Sequence, residues 1–158
     1  MRSVRPPVKV IPKADVMPLL LGACPGFEPM WRDHLRYWGS EERGIFNDTG
    51  EFATYLVCSY ARGETTEFGG AFDVVERLIE YGDEEARASA IVGVLESVQV
   101  QSTHHSFGPE PFRQWLGPLS NKAWSDIETV WEAGGGTLAG VIRNEGRGND
   151  GGSGSGPA

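Results

Sequence analysis

The side chains best placed by type and spacing to do chemistry fall into two groups. The first is six carboxylates in thirteen positions: Asp73, Glu76, Glu80, Asp83, Glu84 and Glu85. At 100° per residue, Asp73, Glu76 and Glu80 share one side of a helix within about 60° steps, and the other three follow at a turn. Like charges this close repel. A cost with no evident structural return points to a basic partner, whose approach the carboxylates would steer and whose charge they would neutralise. The plainer alternative is a solvated acidic face. The second group is His34, His104, His105, Cys24 and Glu96. Imidazole and thiolate are the usual zinc ligands, but adjacent histidines point in divergent directions, so ordinary loop or surface histidines are the stronger expectation. Glu96 is the only charged residue between Ala88 and Gln101. Inside a buried helix it needs a partner or a raised pKa, and a structural hydrogen bond outweighs a general acid or base there.

Local catalytic signatures are missing. The chain has no phosphate-cradling glycine loop, no HExxH, no GxSxG and no ExxH pair, motifs in which spacing alone fixes reactive geometry. No catalytic residue, metal site or cofactor is therefore assigned. Trp115, Trp124 and Trp131 recur near helical spacing and could form a ligand cage, but core packing is the expected role.

Charge narrows the choice of partner. The net charge is −8, and its distribution is uneven: residues 1–40 carry six basic and three acidic side chains, residues 41–85 three and twelve, and residues 86–158 five and seven. A nucleic-acid partner is disfavoured, because phosphates are bound by Lys and Arg in excess. The apolar stretch from Val16 to Leu21 is short and broken by Pro18, so neither a signal peptide nor a membrane span is expected. Cys24 and Cys58 lack CxxC spacing and are both read as buried thiols. With eleven Arg against three Lys, a bacterial cytoplasmic protein is the simplest expectation.

These residues must be positioned by helices. Residues 1–13, with Pro6, Pro7 and Pro12, form an extended basic arm, expected to be loosely attached. Residues 14–133 form the helical domain. Asp15 caps a short helix ending near Gly22, and Pro29 opens a second with Trp31, Leu35 and Trp38 on one face. A third spans Thr49 to Ala61, capped by Asp48 or Thr49 and buried on more than one flank. Phe68, Phe72, Val75 and Ile79 align on a fourth, from Thr66 to Tyr81. Asp83 starts a fifth, running to Val100, with an Ile91, Val94, Leu95 and Val98 stripe and a small-residue stripe of Ala86, Ala90, Gly93 and Ser97. That pairing places it centrally. After a polar loop at 101–108, a short helix covers Glu110 to Leu116, and Ser120 caps a last one bearing Trp124, Ile127, Val130 and Trp131. Residues 134–158 form a glycine-rich flexible tail, with ten glycines between Gly134 and Gly156 and at most one short strand at Thr137–Ile142. The fold class is all-α: a single bundle of six or seven helices, with antiparallel pairing open to it.

The stretch from Asp73 to Gln101, DVVERLIEYGDEEARASAIVGVLESVQVQ, carries a hydrophobic helix, an acidic GD turn and a helix ending in VGVLESVQ. With LLGACPGFEPMW and GEFATYLV it resembles a family of small bacterial all-helical domains of unknown function, similar to the immunity proteins of polymorphic toxin systems. The resemblance covers residues 15–132. It implies a non-enzymatic cytoplasmic role and brings no catalytic residues with it. The expected function is an immunity-type inhibitor that covers a basic partner surface with the acidic face; a nuclease toxin, which must hold phosphates, has such a surface. The alternatives are a small metal-dependent hydrolase built on His34, His104, His105 and Glu96, or an accessory subunit of a larger assembly.

Overall fold

The computed structural model describes residues 9–134. The first part of the proline-rich arm, the glycine-rich tail and the strand expected at Thr137–Ile142 lie outside these residues. Those described form seven α-helices, three short 3-10 turns and one π-helical segment, with no strand among them beyond a single bridge between Ile11 and Gly82.

The described part of the arm is tied down as a strap at Ile11. The Ile11 amide donates to the Tyr81 carbonyl at 2.8 Å, and the Asp83 amide donates back to the Ile11 carbonyl at 2.8 Å. A 3-10 turn, Lys13–Asp15, leads into α1, Val16–Ala23. Asp15 stands at the cap position without a side-chain capping bond, and the helix passes Gly22 to end against Cys24. In α2, Glu28–Trp38, Pro29 occupies the first turn, where its missing N–H costs nothing. Gly39, at φ +54°, turns the chain out of the helix. The buried residue of α2 is His34, while Trp31, Leu35 and Trp38 are only half-buried. The Trp31 and Trp38 rings flank the imidazole at 5.5 and 6.3 Å.

Helix α3, Ile45–Ala61, starts four residues before the expected Thr49. The cap lies further upstream: the Gly44 amide donates to Asn47 Oδ1 at 3.0 Å. Asp48 and Thr49 thereby fall inside the helix, and the Thr49 hydroxyl donates to the Ile45 carbonyl at 2.8 Å. Phe52, Ala53, Leu56 and Val57 are buried on more than one flank, as expected, whereas Cys58 is exposed and only Cys24 is a buried thiol. Cys58 and Ala61 lie on the strip of α3 open to solvent, which continues into Arg62 just past its end.

Helix α4, Phe68–Tyr81, buries Phe68, Phe72, Val75 and Ile79 on the predicted face. Asp83 caps the next element as expected, accepting from the Ala86 amide at 2.7 Å. That element is one rod in three parts: α5, Glu84–Ala88; a π-helical segment, Ser89–Glu96; and α6, Ser97–Ser102. The expected plain α-helix is thus wound wider through its middle. The π stretch is where the rod packs most extensively on α3, and its other neighbours include α4 and the last helix. Ala86, Ala90, Val94, Leu95 and Val98 are fully buried. At Gly93 the approach is closest, since any Cβ there would overlap the Thr49 hydroxyl and come within 2.8 Å of the Thr49 Cβ.

The segment expected as a short helix from Glu110 to Leu116 is a 3-10 turn, Glu110–Trp115, which seats Phe112 in an aromatic cluster with Tyr60, Phe68, Phe107 and Trp115. In α7, Pro118–Glu132, Gly117 rather than Ser120 holds the cap position. Trp124 and Ile127 are fully buried, but Trp131 is 41% exposed and so is not a core residue. It borders a 290 Å³ cavity with Val100 and Pro109. Burial of each fully enclosed Phe, Leu or Trp stabilises the bundle by roughly 1.5–3 kcal/mol, which is why the core sets the positions of surface groups.

Candidate functional site

The six carboxylates at the α4–α5 corner divide into two sets. Asp73 and Glu80 lie seven residues apart on α4, about 10 Å along the axis, and Glu84 opens α5; all three are exposed. None of them pairs with a Lys or Arg among the described residues. Glu80 does act on its neighbour: its carboxylate, by hydrogen bonding and by charge, pushes the Tyr81 hydroxyl above its ordinary pKa, with Arg77 opposing.

The other three are bound into the fold. Glu76 reaches across to the start of α7, accepting from the Leu119 amide at 2.7 Å, the Ser120 amide at 2.8 Å and the Ser120 hydroxyl at 2.7 Å. Gly117 leaves room for it, since a Cβ there would come within 2.6 Å of the carboxylate. Burial works to raise the pKa of Glu76, but these bonds outweigh it and hold the carboxyl below its ordinary value. Asp83 accepts from the Ala86 amide and, at 3.0 Å, from the Lys13 amide, and both bonds lower its pKa. Glu85 pairs with Lys13 at 3.3 Å. The repulsion visible in the sequence is therefore relieved in part by helix capping and by the strap.

The histidines and Cys24 do not assemble into a centre. His34 is buried in α2, whereas His104 and His105 are exposed just beyond α6, with His105 stacked on Phe107 at 4.8 Å. Glu96 is buried at the end of the π segment. Among the described residues no group of three His, Cys, Asp or Glu side chains is disposed to hold a metal ion. Burial, reinforced by the charge of Glu67, pushes the Cys24 thiol up to about 12, far from the thiolate that a nucleophile or ligand requires. Glu67 itself braces the turn before α2, accepting from the Gly26 amide at 3.0 Å and from the Tyr55 hydroxyl. Burial and that bond push Tyr55 up to about 12.

A polar cluster that the sequence does not announce surrounds His34. Its Nε2 lies 2.8 Å from Asp48 Oδ1, and Arg43 Nε donates to the same oxygen at 2.9 Å. Glu51 Oε2 stands 3.9 Å from His34 Nδ1. The Arg43 guanidinium lies over the Trp31 ring, 5.5 Å from its centroid. A carboxylate–imidazole pair is the orienting half of a general-base device. Here Asp48 is shared with Arg43, and no Ser, Thr or Cys side chain among the described residues bonds to the imidazole. Asp48 and Arg43 escape a sequence reading because the one sits at an expected cap position and the other in a loop.

No curated protein and no solved structure matches this chain. A family model described as a Domain of unknown function (DUF7674) matches residues 17–132, from the first turn of α1 to the end of α7. The match thus takes in the whole bundle, including the acidic corner, the π segment and the His34 cluster, and the chain belongs to that family.

Proposed function

We propose that this domain is a non-enzymatic binding protein of the immunity type, which covers a basic surface of a protein partner, such as a toxin, with the corner formed by α4 and α5. The observation that carries the reading is the set of outward carboxylates at Asp73, Glu80 and Glu84, exposed and without cationic partners among the described residues. Glu85 and Asp83 lend charge to the same corner while holding the strap. Glu76 belongs to the fold rather than to the contact. Such a surface accelerates encounter and selects partner charge more than it adds raw affinity. A nuclease toxin, whose phosphate-binding surface is basic, fits this chemistry. Two free cysteines, Cys24 and Cys58, are in keeping with a cytoplasmic setting, and among the described residues no helix is long and apolar enough to cross a membrane.

The hydrolase alternative has no geometric support: His34 is held by Asp48, and His104 and His105 stand in solvent beyond α6. The test is comparative affinity capture from a native host, with the intact chain and a D73K/E80K/E84K variant as baits. The reading predicts a basic protein retained by the first and lost by the second at an unchanged urea midpoint. Identical captures by both would remove the corner as the contact.

A further inference from the structure

A cavity of about 310 Å³ opens between the Lys13–Asp15 turn, α1, α2 and the start of α3, within the usual range for small-ligand pockets. Its walls differ in chemistry. Met17, Ile45 and the Trp31 indole supply apolar surface, and Lys13 and Arg43 supply two cations. The single acid in the lining, Asp48, is already shared between Arg43 Nε and His34 Nε2. Its side chain is only 10% exposed.

Arg43 is the informative residue. A guanidinium carries N–H donors on three nitrogens in a fixed plane, and here the inner one is committed to Asp48 while the central carbon lies over the Trp31 ring, 5.5 Å from its centroid. Among the described residues the terminal nitrogens have no hydrogen-bond partner, and the side chain stays 31% exposed. That geometry pre-orients the edge which binds a carboxylate with two parallel bonds. Lys13, on the same cavity, is held by Glu85, itself a carboxylate at 3.3 Å. A ligand carboxylate would exchange for it at little cost.

We propose that this cavity is a binding site for a carboxylate carried on a small apolar body, the oxyanion taken by Arg43 and Lys13 and the body lying against Trp31, Met17 and Ile45. The carboxylate can come from a free small acid or from a side chain of a bound peptide. The site adjoins the acidic corner through the Lys13–Glu85 pair, but its existence does not depend on the partner proposed there.

The test follows the assigned Trp31 indole N–H resonance of the intact chain during titration with hexanoate, with hexanamide as the uncharged match, at constant ionic strength. Hexanoate gives a saturable, single-site shift and hexanamide does not. Lys13→Gln leaves the Arg43–Asp48–His34 group in place and weakens binding about tenfold, the worth of one charge-assisted hydrogen bond. Arg43→Gln abolishes binding, and Glu85→Gln strengthens it by releasing Lys13. A capped Leu-Glu-Leu peptide, whose only carboxylate is a side chain, distinguishes the two sources by whether it or hexanoate saturates at the lower concentration. Equal responses to hexanoate and hexanamide, or hexanoate binding unchanged in Lys13→Gln, would overturn the proposal.

Discussion

Glu76 illustrates how a residue that looks functional in one dimension becomes structural in three. Sequence places it in the middle of an acidic helix face, but its bonds to Leu119 and Ser120 cap α7 from a neighbouring helix. Such a cap has no local signature, since its donors lie more than forty residues away. Asp83, by contrast, is legible: an acid after Gly82 and before Glu84 marks a helix start, and it caps one. Glu76→Ala is expected to destabilise the fold by about 1–2 kcal/mol, the range for loss of a capping acceptor, read as a shift in urea midpoint at constant slope. The pH dependence follows from the lowered pKa. A carboxyl depressed in the folded state contributes stability above its unfolded pKa and loses it as pH falls through the folded value. The gap in stability between the native chain and Glu76→Gln should therefore be widest near neutral pH and close progressively below about pH 4.5, near the ordinary glutamate value. A gap independent of pH would show that charge at Glu76 plays no part.

Among the elements, the central rod was the most legible and also the most altered. Its two stripes, one branched and one small, correctly imply a helix enclosed by neighbours, because only small side chains let another backbone come close. The pitch of the rod was not legible. Periodicity at 3.6 residues cannot distinguish an α-helix from one that widens over eight residues, and the π segment coincides with the packing on α3. The start of α3 lies upstream of the expected one for a related reason: Asp48 and Thr49 are good caps in isolation, but His34, Arg43 and Gly93 hold them inside the helix. Gly93→Ala separates propensity from contact. Helix propensity alone predicts a gain of about 1 kcal/mol, whereas overlap with Thr49 predicts a loss of about 1–3 kcal/mol. The structure requires the loss, with partial recovery when Thr49→Ala is added. A stabilised Gly93→Ala protein would mean that the rod and α3 are further apart than described.

For the molecule as a whole, net charge is a poor guide to surface charge. Between residues 41 and 85 the sequence is strongly acidic, yet Asp48, Glu67, Glu76, Asp83 and Glu85 all bind groups of the same chain. What remains at the α4–α5 corner is a smaller patch at Asp73, Glu80 and Glu84, bordered by the strap and, through Lys13, by the cationic cavity. Two surfaces of opposite character thus adjoin on one side of the bundle, which no count of charges along the chain could reveal. The all-α class was readable from spacing and glycine punctuation because the core-facing residues repeat at helical intervals. The most direct measurement of the central claim is the dissociation constant of the captured basic partner across a range of salt concentrations, for the native chain and for D73K/E80K/E84K. If the corner is the contact, the native complex weakens steeply with salt, while the variant binds on the order of ten- to a hundredfold less tightly at low salt with a flattened dependence. Superimposable salt curves for the two proteins would contradict it.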